Sequence, residues 1–581
     1  PWSLVPGPWS LSWVCDVAEN LASVHRQVAE RLGPRVALRS RRLGLYRDLC
    51  WDDYRRQADA AAAALIDRGI GPGDRVGMLS ENRPEWLVAD IAVLSAGAVD
   101  VPLHAALAPG QVAYQLGHSG ARAVLVSDQA QADKVLERLD ALPGLELLVS
   151  FGPADCRGRI RHLTWEGLIH HGRRLGRAGV DRVLRRERAR GGDDLATILY
   201  TSGTTGPPKG VMLSHGNFLS NAEATHRSSG IGPGDVLLSW LPYSHVYART
   251  TDHYLTIRAG ATVCLAGSLE TLAADLAEVR PSRFTAVPRF YEKVWAAVES
   301  LDPATRRRRL HELFGPRIAS LTSGGAPLPR HVCAGFFEAG LPLLEGYGLT
   351  ESSPVISFNR PDCFRIGTVG PPVPGVEVRI APDGEILTRG PHVMLGYWKD
   401  QEATAEAIRD GWLHTGDLGQ LDAEGFLTIT GRKKDLIVTS YGKNIAPAEL
   451  EQRLVADPCI DQAVVFGDGR PFASALIVPD FPRLRAKAEE LGCPLVVEDG
   501  LIRGEALLGF LADRVARAMR EVSGPEQVKS FLLLGGPFRL EAGELTATMK
   551  LRRQRILENY ADRLDRLASV PIPPRAKADG A

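Results

Sequence analysis

Short apolar runs alternate with amphipathic stretches along the first two-thirds of the chain. Val124-Leu125-Val126 and Thr262-Val263-Cys264-Leu265 are short enough to read as buried strands, and Asp53 to Asp67 reads as an alanine-rich helix stopped by Gly69. Strands alternating with helices predict βαβ units around a mostly parallel sheet. The pattern also repeats weakly. Gly71-Pro72-Gly73-Asp74 leads into an apolar strand, a helix and Ala96-Gly97-Ala98, and Gly232-Pro233-Gly234-Asp235 leads through the same succession to Ala259-Gly260-Ala261. The near-equal spacing predicts two similarly wound α/β layers, with shared turn chemistry as the competing explanation.

Asp181 to Asp194 is rich in arginine and ends in glycines and aspartates, which predicts an exposed connection. From Gly384 to Thr430 short strands and Gly or Pro turns predict a small β-rich lobe. Beyond Gly431 the pattern changes: Leu436-Ile437-Val438, a helix from Ala448 to Val455, and strands at Ala463 to Phe466 and Ala475 to Val478 predict a compact α+β unit. The expected division is an N-terminal extension (1–19), a large α/β domain (20–431), a junction (432–435), a C-terminal domain (436–562) and a frayed tail (563–581).

Composition narrows the class. Among 581 residues, 69 Lys and Arg balance 69 Asp and Glu, which argues against a dedicated nucleic-acid binder. Hydrophobic content of 44% and charged content of 24% are those of a folded globular protein. The 8 cysteines are scattered without CxxC or zinc spacing, which fits a reducing compartment. No apolar run approaches the roughly 18 residues of a transmembrane helix. Pro1 to Cys15 is apolar and Trp-rich but lacks the basic start of a signal peptide. The cytoplasm is the expected location. The basic runs Arg306-Arg307-Arg308-Arg309 and Arg185-Arg186 have two readings: solvated helix ends, which we favour, and a peripheral contact with anionic lipid on the inner membrane face.

The richest segment chemically is Tyr200-Thr201-Ser202-Gly203-Thr204-Thr205-Gly206-Pro207-Pro208-Lys209-Gly210. It lies between the apolar strands Ala196 to Leu199 and Val211-Met212-Leu213. Hydroxyls and glycines concentrated in one loop let backbone N–H groups face an anion, and Lys209 adds a mobile positive charge. No Walker-type run occurs, so this is a phosphate loop of another kind.

The segment resembles the phosphate-loop signature of the adenylate-forming superfamily, which includes acyl-CoA synthetases, adenylation domains and luciferases. The resemblance runs from about Asn20 to Leu567. Ser323-Gly324-Gly325-Ala326-Pro327-Leu328 and Gly346-Tyr347-Gly348-Leu349-Thr350-Glu351 resemble its adenine and α-phosphate segments. Gly411-Trp412-Leu413-His414-Thr415-Gly416-Asp417 resembles its ribose segment, Gly431-Arg432-Lys433-Lys434-Asp435 its hinge, and Gly543 to Lys550 its catalytic-lysine loop. Leu241 to Thr250, Val287 to Val294, Gly467 to Pro471 and Lys550 to Arg553 further resemble the long-chain fatty acid–CoA ligase branch. The chain departs from that branch at Ala547, where proline is usual, and at Tyr243, where leucine is usual. Tyr243 is expected near the acyl tunnel.

The resemblance implies ATP, Mg²⁺ and CoA as cofactor and co-substrates, and a C-terminal domain that moves. It implies that Thr201, Ser202, Gly203, Thr204, Thr205, Gly206 and Lys209 bind phosphate. Gly325, Ala326, Gly346, Tyr347 and Gly348 would form the adenine and α-phosphate pocket, with Asp417 and Arg432 at the ribose. Glu351 and Thr201 would hold Mg²⁺, Lys550, His245 and Thr350 would be catalytic, Lys434 would mark the hinge and Gly442 the CoA channel. The chemistry suits these residue types. A carboxylate attacking the α-phosphate of ATP brings two anions together, so cations and positioning must supply the catalysis. Glu351 is a hard oxygen ligand, and ionised Asp417 is an acceptor suited to two ribose hydroxyls.

The leading reading is an enzyme making acyl-CoA, AMP and pyrophosphate from a long-chain fatty acid, ATP and CoA. The alternatives are a ligase loading a carrier protein, a medium-chain or aryl-acid CoA ligase, and an inactive nucleotide-binding regulator. The sequence carries no signal for oligomeric state.

Overall fold

The Gly-Pro-Gly-Asp repeat is built into the backbone. The Gly71 N–H donates to Asp74 Oδ2 at 2.7 Å and the Gly232 N–H to Asp235 Oδ2 at 2.8 Å. The carbonyls of Asp74 and Asp235 then accept from Val99 and Thr262, at 2.8 and 3.0 Å, where the neighbouring parallel strand begins. One strand–helix–strand unit thus founds each of two sheets. This computed structural model describes residues 19–201, 207–440, 444–524, 526–539, 541–545 and 551–567.

The first eight-stranded sheet runs from Gly396–Tyr397 through Lys209–Ser214, Leu195–Thr201, Val99–Leu103, Arg75–Leu79, Ala121–Val126 and Leu147–Ser150 to Arg161–Thr164. Its first two joins are antiparallel and the rest parallel. The second eight-stranded sheet runs from Val355–Phe358 through Leu343–Gly348, Ser320–Ser323, Arg283–Ala286, Val236–Ser239, Thr262–Leu265 and Val36–Arg42 to Leu45–Cys50, antiparallel only at its two ends. Their strands are near-continuous apolar runs because helices cover them. The alanine-rich helix spans Trp51–Asp67 and buries Ala60 to Ala64. Small side chains let the helix Trp165–Arg174 come close: a Cβ on Gly172 would lie 1.8 Å from the Ala60 carbonyl.

The β-rich lobe is a five-stranded antiparallel sheet ending in Trp412–Leu421 and Leu427–Arg432. The C-terminal unit is α+β. Its strands Ile460–Phe466, Ala473–Pro479 and Val528–Leu533 are covered by Pro447–Val455, Phe481–Glu490 and Glu505–Ala518 around a core of their own. The expected two layers, lobe and α+β unit are therefore all present. The expectation of an exposed connection from Asp181 is corrected. The helix Gly176–Arg188 takes up its first part, because Val183 packs in the core and Glu187 takes a forked bond from Arg26 at 2.8–3.1 Å, and the connection is confined to 189–194. No described helix is long and apolar enough to cross a membrane.

Candidate active site

Strand ends from both sheets and the lobe converge on one cleft of about 3560 Å³, far larger than a pocket for one small ligand. Thr201 ends its strand directly across from Lys209, which starts the return strand. Tyr347 and Gly348 end the strand Leu343–Gly348, and Thr350 and Glu351 follow on a single 3-10 turn. Asp417 pairs with Arg432 across two strands of the lobe. Thr201, Lys209, His245, Gly325, Ala326, Gly346, Tyr347, Gly348, Thr350, Glu351, Arg432 and Lys434 all line this cleft. Leu545, Leu551 and Arg552 of the C-terminal unit close one side of it.

Two hydrogen-bonded groups organise the wall. The Tyr347 hydroxyl donates to Asp417 Oδ2 at 2.7 Å and Arg432 Nε to Asp417 Oδ1 at 2.8 Å. Asp417 is buried, and burial, reinforced by Asp417, pushes the Tyr347 phenol well above its ordinary range. That proton therefore stays on the tyrosine. In the second group Tyr397 donates to Glu351 Oε1 at 2.9 Å, while the Lys209 ammonium lies 5.0 Å over the Tyr397 ring. Glu351 Oε2 has no protein partner among the described residues. No cluster of three metal-ligating side chains occurs among those residues either. A cleft carboxylate with one oxygen available suits a divalent cation that takes its remaining ligands from substrate phosphates and water.

Glycine is required where backbone comes closest. A Cβ on Gly348 would lie 1.7 Å from the Pro354 carbonyl, and one on Gly324 2.9 Å from the phenol of Tyr247. On the opposite wall, His245 caps a short helical turn, its Nδ1 accepting from the Tyr247 N–H at 3.2 Å. Tyr247, Leu255, Leu237, Thr285 and Thr322 carry the cleft on between the second sheet and its helices. Tyr243 is not on that wall, which corrects the expectation that it borders an acyl tunnel. It is buried with its ring 5.3 Å from Trp86 and its hydroxyl donating to Ser239 Oγ at 2.9 Å. A phenol whose hydroxyl has an internal partner packs as core.

The junction is tethered on one residue. Lys433 Nζ reaches Asp383 at 2.6 Å and Glu385 at 3.1 Å in the lobe. Lys434 forms no ion pair among the described residues. Ser202, Gly203, Thr204, Thr205, Gly206, Gly442 and Lys550 lie outside the described residues.

A family model described as AMP-binding enzyme matches residues 25–398, and one described as AMP-binding enzyme C-terminal domain matches residues 434–569. The long-chain-fatty-acid--CoA ligase FadD15 of Mycobacterium bovis is 35% identical over 569 residues, covering 90% of this chain and 92% of that protein. The peroxisomal long chain acyl-CoA synthetase 7 of Arabidopsis thaliana is 31% identical, covering 91% and 84%. ATP-bound MatB from Rhodopseudomonas palustris superposes with a TM-score of 0.71 at 25% identity, covering 94% of this chain and all of that one. The chain belongs to the AMP-binding enzyme family, in its long-chain acyl-CoA synthetase branch.

Three features of this AMP-binding enzyme escape sequence reasoning. One is Tyr397, the partner of Glu351. Another is His104, whose Nδ1 lies 2.7 Å from Ser244 Oγ beside the cleft and whose pKa burial lowers to about 4. The third is a charge cluster under His245. Arg249, fully buried, hydrogen-bonds Thr197 at 2.8 Å, Asp90 at 2.5 Å and the Tyr254 hydroxyl at 3.0 Å, and lies 2.8 Å from Asp100 Oδ2. Thr197 belongs to the strand that ends at Thr201, so Arg249 ties the His245 turn to the base of the phosphate loop. Burial drives Asp100 towards its protonated form. Burial acts on Asp90 too, but Arg249, His253 and Tyr254 outweigh it and keep Asp90 ionised. One arginine thus faces one carboxylate charge, which balances the buried site. The readable signal was a lone aspartate in each of two apolar runs, Trp86 to Ser95 and Val99 to Leu103.

Proposed function

We propose that this enzyme activates a long-chain fatty acid as its acyl-adenylate and transfers the acyl group to CoA. The observation that carries the reading is the joint placement of Glu351, Arg432 and Lys209 around one cleft, with Asp417 held behind Tyr347 and Arg432, in a chain alike along 90% of its length to a long-chain ligase. In the first step a fatty-acid carboxylate oxygen attacks the α-phosphorus of ATP. The bond to the β-phosphate oxygen breaks and pyrophosphate leaves. Asp417 accepts from the ribose hydroxyls and is held in place by Tyr347 and Arg432. Gly325 and Ala326 give the adenine a flat wall, and the segment Thr201 to Lys209 surrounds the phosphates. Glu351, with Thr201, would hold a Mg²⁺ that neutralises phosphate charge. His245 orients the carboxylate beside Thr350, and Lys550 bridges carboxylate and α-phosphate as charge builds there.

In the second step the C-terminal unit turns about residues 432–435, withdrawing Lys550 and bringing Gly442 to the pantetheine path. The CoA sulfur attacks the acyl carbonyl, AMP leaves with the bonding electron pair, and the thiol proton is released. Peripheral contact with the inner membrane face, for an enzyme working in the cytoplasm, belongs to the same reading.

The test is a panel of fatty acids from short to long chain with ATP, Mg²⁺ and CoA, scoring AMP and acyl-CoA together in the native enzyme and in Lys550→Ala. Acyl-CoA from long chains, with AMP formation falling about 10²- to 10³-fold in the variant, is expected. Acyl-adenylate without thioester would move the assignment to carrier loading, and no turnover on any acid would sink it.

A further inference from the structure

A hairpin at the edge of the second sheet exposes leucine where nothing inside the protein stabilises it. Val36–Arg42 and Leu45–Cys50 are joined by Leu43 and Gly44 alone, since Arg42 pairs with Leu45. Both linking residues have left-handed backbone, φ +51° at Leu43 and +79° at Gly44, as a type I′ turn requires. That conformation suits Asn or Gly at the first position and strains leucine. Leu43 is also 97% exposed and Leu45 62%. Neither backbone preference nor packing accounts for a leucine there.

The surroundings state what would. Arg39, Arg41, Arg42 and Arg47 flank the tip on both strands. Arg39 pairs with Asp48 at 2.7 Å, and Arg41 with Asp275 and Glu278 at 3.6 and 3.4 Å. Arg42 and Arg47 pair with no carboxylate among the described residues. Arg41 fixes the hairpin against the helix Leu272–Val279, and the loop entering that helix carries Leu269, 65% exposed. The tip projects into solvent with Leu43 almost fully exposed, and it borders neither of the described pockets. Apolar residues at a projecting tip with unpaired guanidinium groups behind them fit an anionic bilayer surface, where leucine enters the acyl boundary and arginine meets phosphate.

The position on the fold suits that contact. The strand Val36–Arg42 runs parallel to Thr262–Leu265 and, through it, to the strands whose ends carry Gly324 and Tyr347. The last register pair with that neighbour is Arg39 with Cys264, so the tip overhangs the sheet from the edge on which the cleft lies. In the basic helix Pro303–Phe314, in contrast, three of the four consecutive arginines have partners within the protein. Arg306 donates to the Glu299 and Leu301 carbonyls at 2.7 and 2.9 Å, and Arg308 and Arg309 face Glu312 at 3.7 and 3.4 Å.

We propose that the Leu43–Leu45 hairpin tip, with Arg42 and Arg47, is a docking site for anionic lipid bilayers that holds the cleft edge of the protein against the membrane surface. The proposal does not depend on the assigned substrate, because docking is read without turnover. The experiment is co-sedimentation of the full chain with vesicles of phosphatidylcholine alone or mixed with phosphatidylglycerol, at low and high salt. The variants are Leu43→Asn and Leu45→Asp. Native protein should sediment with the phosphatidylglycerol vesicles and be released by salt. Each variant should lower the partition coefficient at least about tenfold. Leu43→Asn creates the favoured Asn-Gly turn, so its melting temperature should hold or rise while binding falls, which separates docking from folding. Acyl-CoA formation from acid supplied in solution, measured on the same samples, should be unchanged. Native protein that ignores anionic vesicles, binds pure phosphatidylcholine equally, or binds undiminished in both variants would overturn the proposal.

Discussion

The large and small domains contribute to the same cleft by opposite physical means. The large domain sets its side chains from mutually bonded groups anchored on buried residues: Tyr347 and Arg432 on Asp417, Tyr397 on Glu351, and the buried Arg249 beneath His245. The C-terminal unit has its own core and meets the large domain through exposed ion pairs, Arg289 with Asp461, and Arg483 with Glu299 at 2.9 Å. Rigid placement and weak attachment are different requirements. A nucleotide pocket needs geometry held to fractions of an ångström, whereas a unit that serves two half-reactions must leave its first position at little energetic cost.

The sharpest way to break this contrast is to remove the buried cation. Arg249→Met leaves Asp90 and Asp100 facing each other in the core, and breaking such a pair costs about 3–5 kcal/mol. Chemical denaturation should show that loss in the large-domain transition, with the C-terminal unit unaffected. Arg249→Lys should recover only part of it, because one ammonium cannot replace a guanidinium fork that reaches Thr197, Asp90, Asp100 and Tyr254 together. A variant as stable as the native protein would mean that the aspartates need no counter-charge and that the large domain is not held as described.

Acid should separate the two domains next. Burial lowers His25 from 6.5 to about 3, and His104, His215 and His392 from 6.5 to about 4. Each stays neutral in the folded state while its unfolded counterpart takes a proton near 6.5. The unfolded chain therefore binds more protons between these values, and stability falls as pH drops from about 6.5 towards 4. With about 1.4 kcal/mol per unit, each histidine contributes on the order of a few kcal/mol. The chain has no histidine after His414, so the C-terminal unit lacks this response. Melting followed from pH 7 to pH 4 should show the large-domain transition moving first. Simultaneous movement of both domains would show that they unfold as one body.

What the sequence made legible follows the same division. The repeat at Asp74 and Asp235 was readable because one turn chemistry recurs and only local bonds are needed to build it. The site segments were readable because glycine is demanded by close backbone approaches, as at Gly348 against Pro354. Tyr397 and His104 were not, since their partners, Glu351 and Ser244, lie far along the chain and neither tyrosine nor histidine announces a partner locally. The misreading of Tyr243 is of this kind in one respect, since the Trp86 ring it packs against lies far along the chain. Its hydroxyl is satisfied by Ser239, which turns the ring into the core.

The smallest effect is the most informative about attachment. In Arg289 with Asp461 the side chains are 43% and 28% exposed, and in Arg483 with Glu299 40% and 25%. Ion pairs this open to water contribute about 0–1 kcal/mol each. The double variant Arg289→Ala, Arg483→Ala should therefore melt close to the native protein in both transitions. Cleavage by a protease near residues 432–435 should nevertheless accelerate, because the same small energy is a large fraction of what holds one domain against the other. A marked loss of stability would place these pairs inside a shared core and merge the two domains into one mechanical unit. Unchanged cleavage together with unchanged stability would show that the attachment rests instead on the lobe strand Leu427–Arg432 packing against the helix Pro447–Val455, where Gly431 approaches the Ala446 methyl.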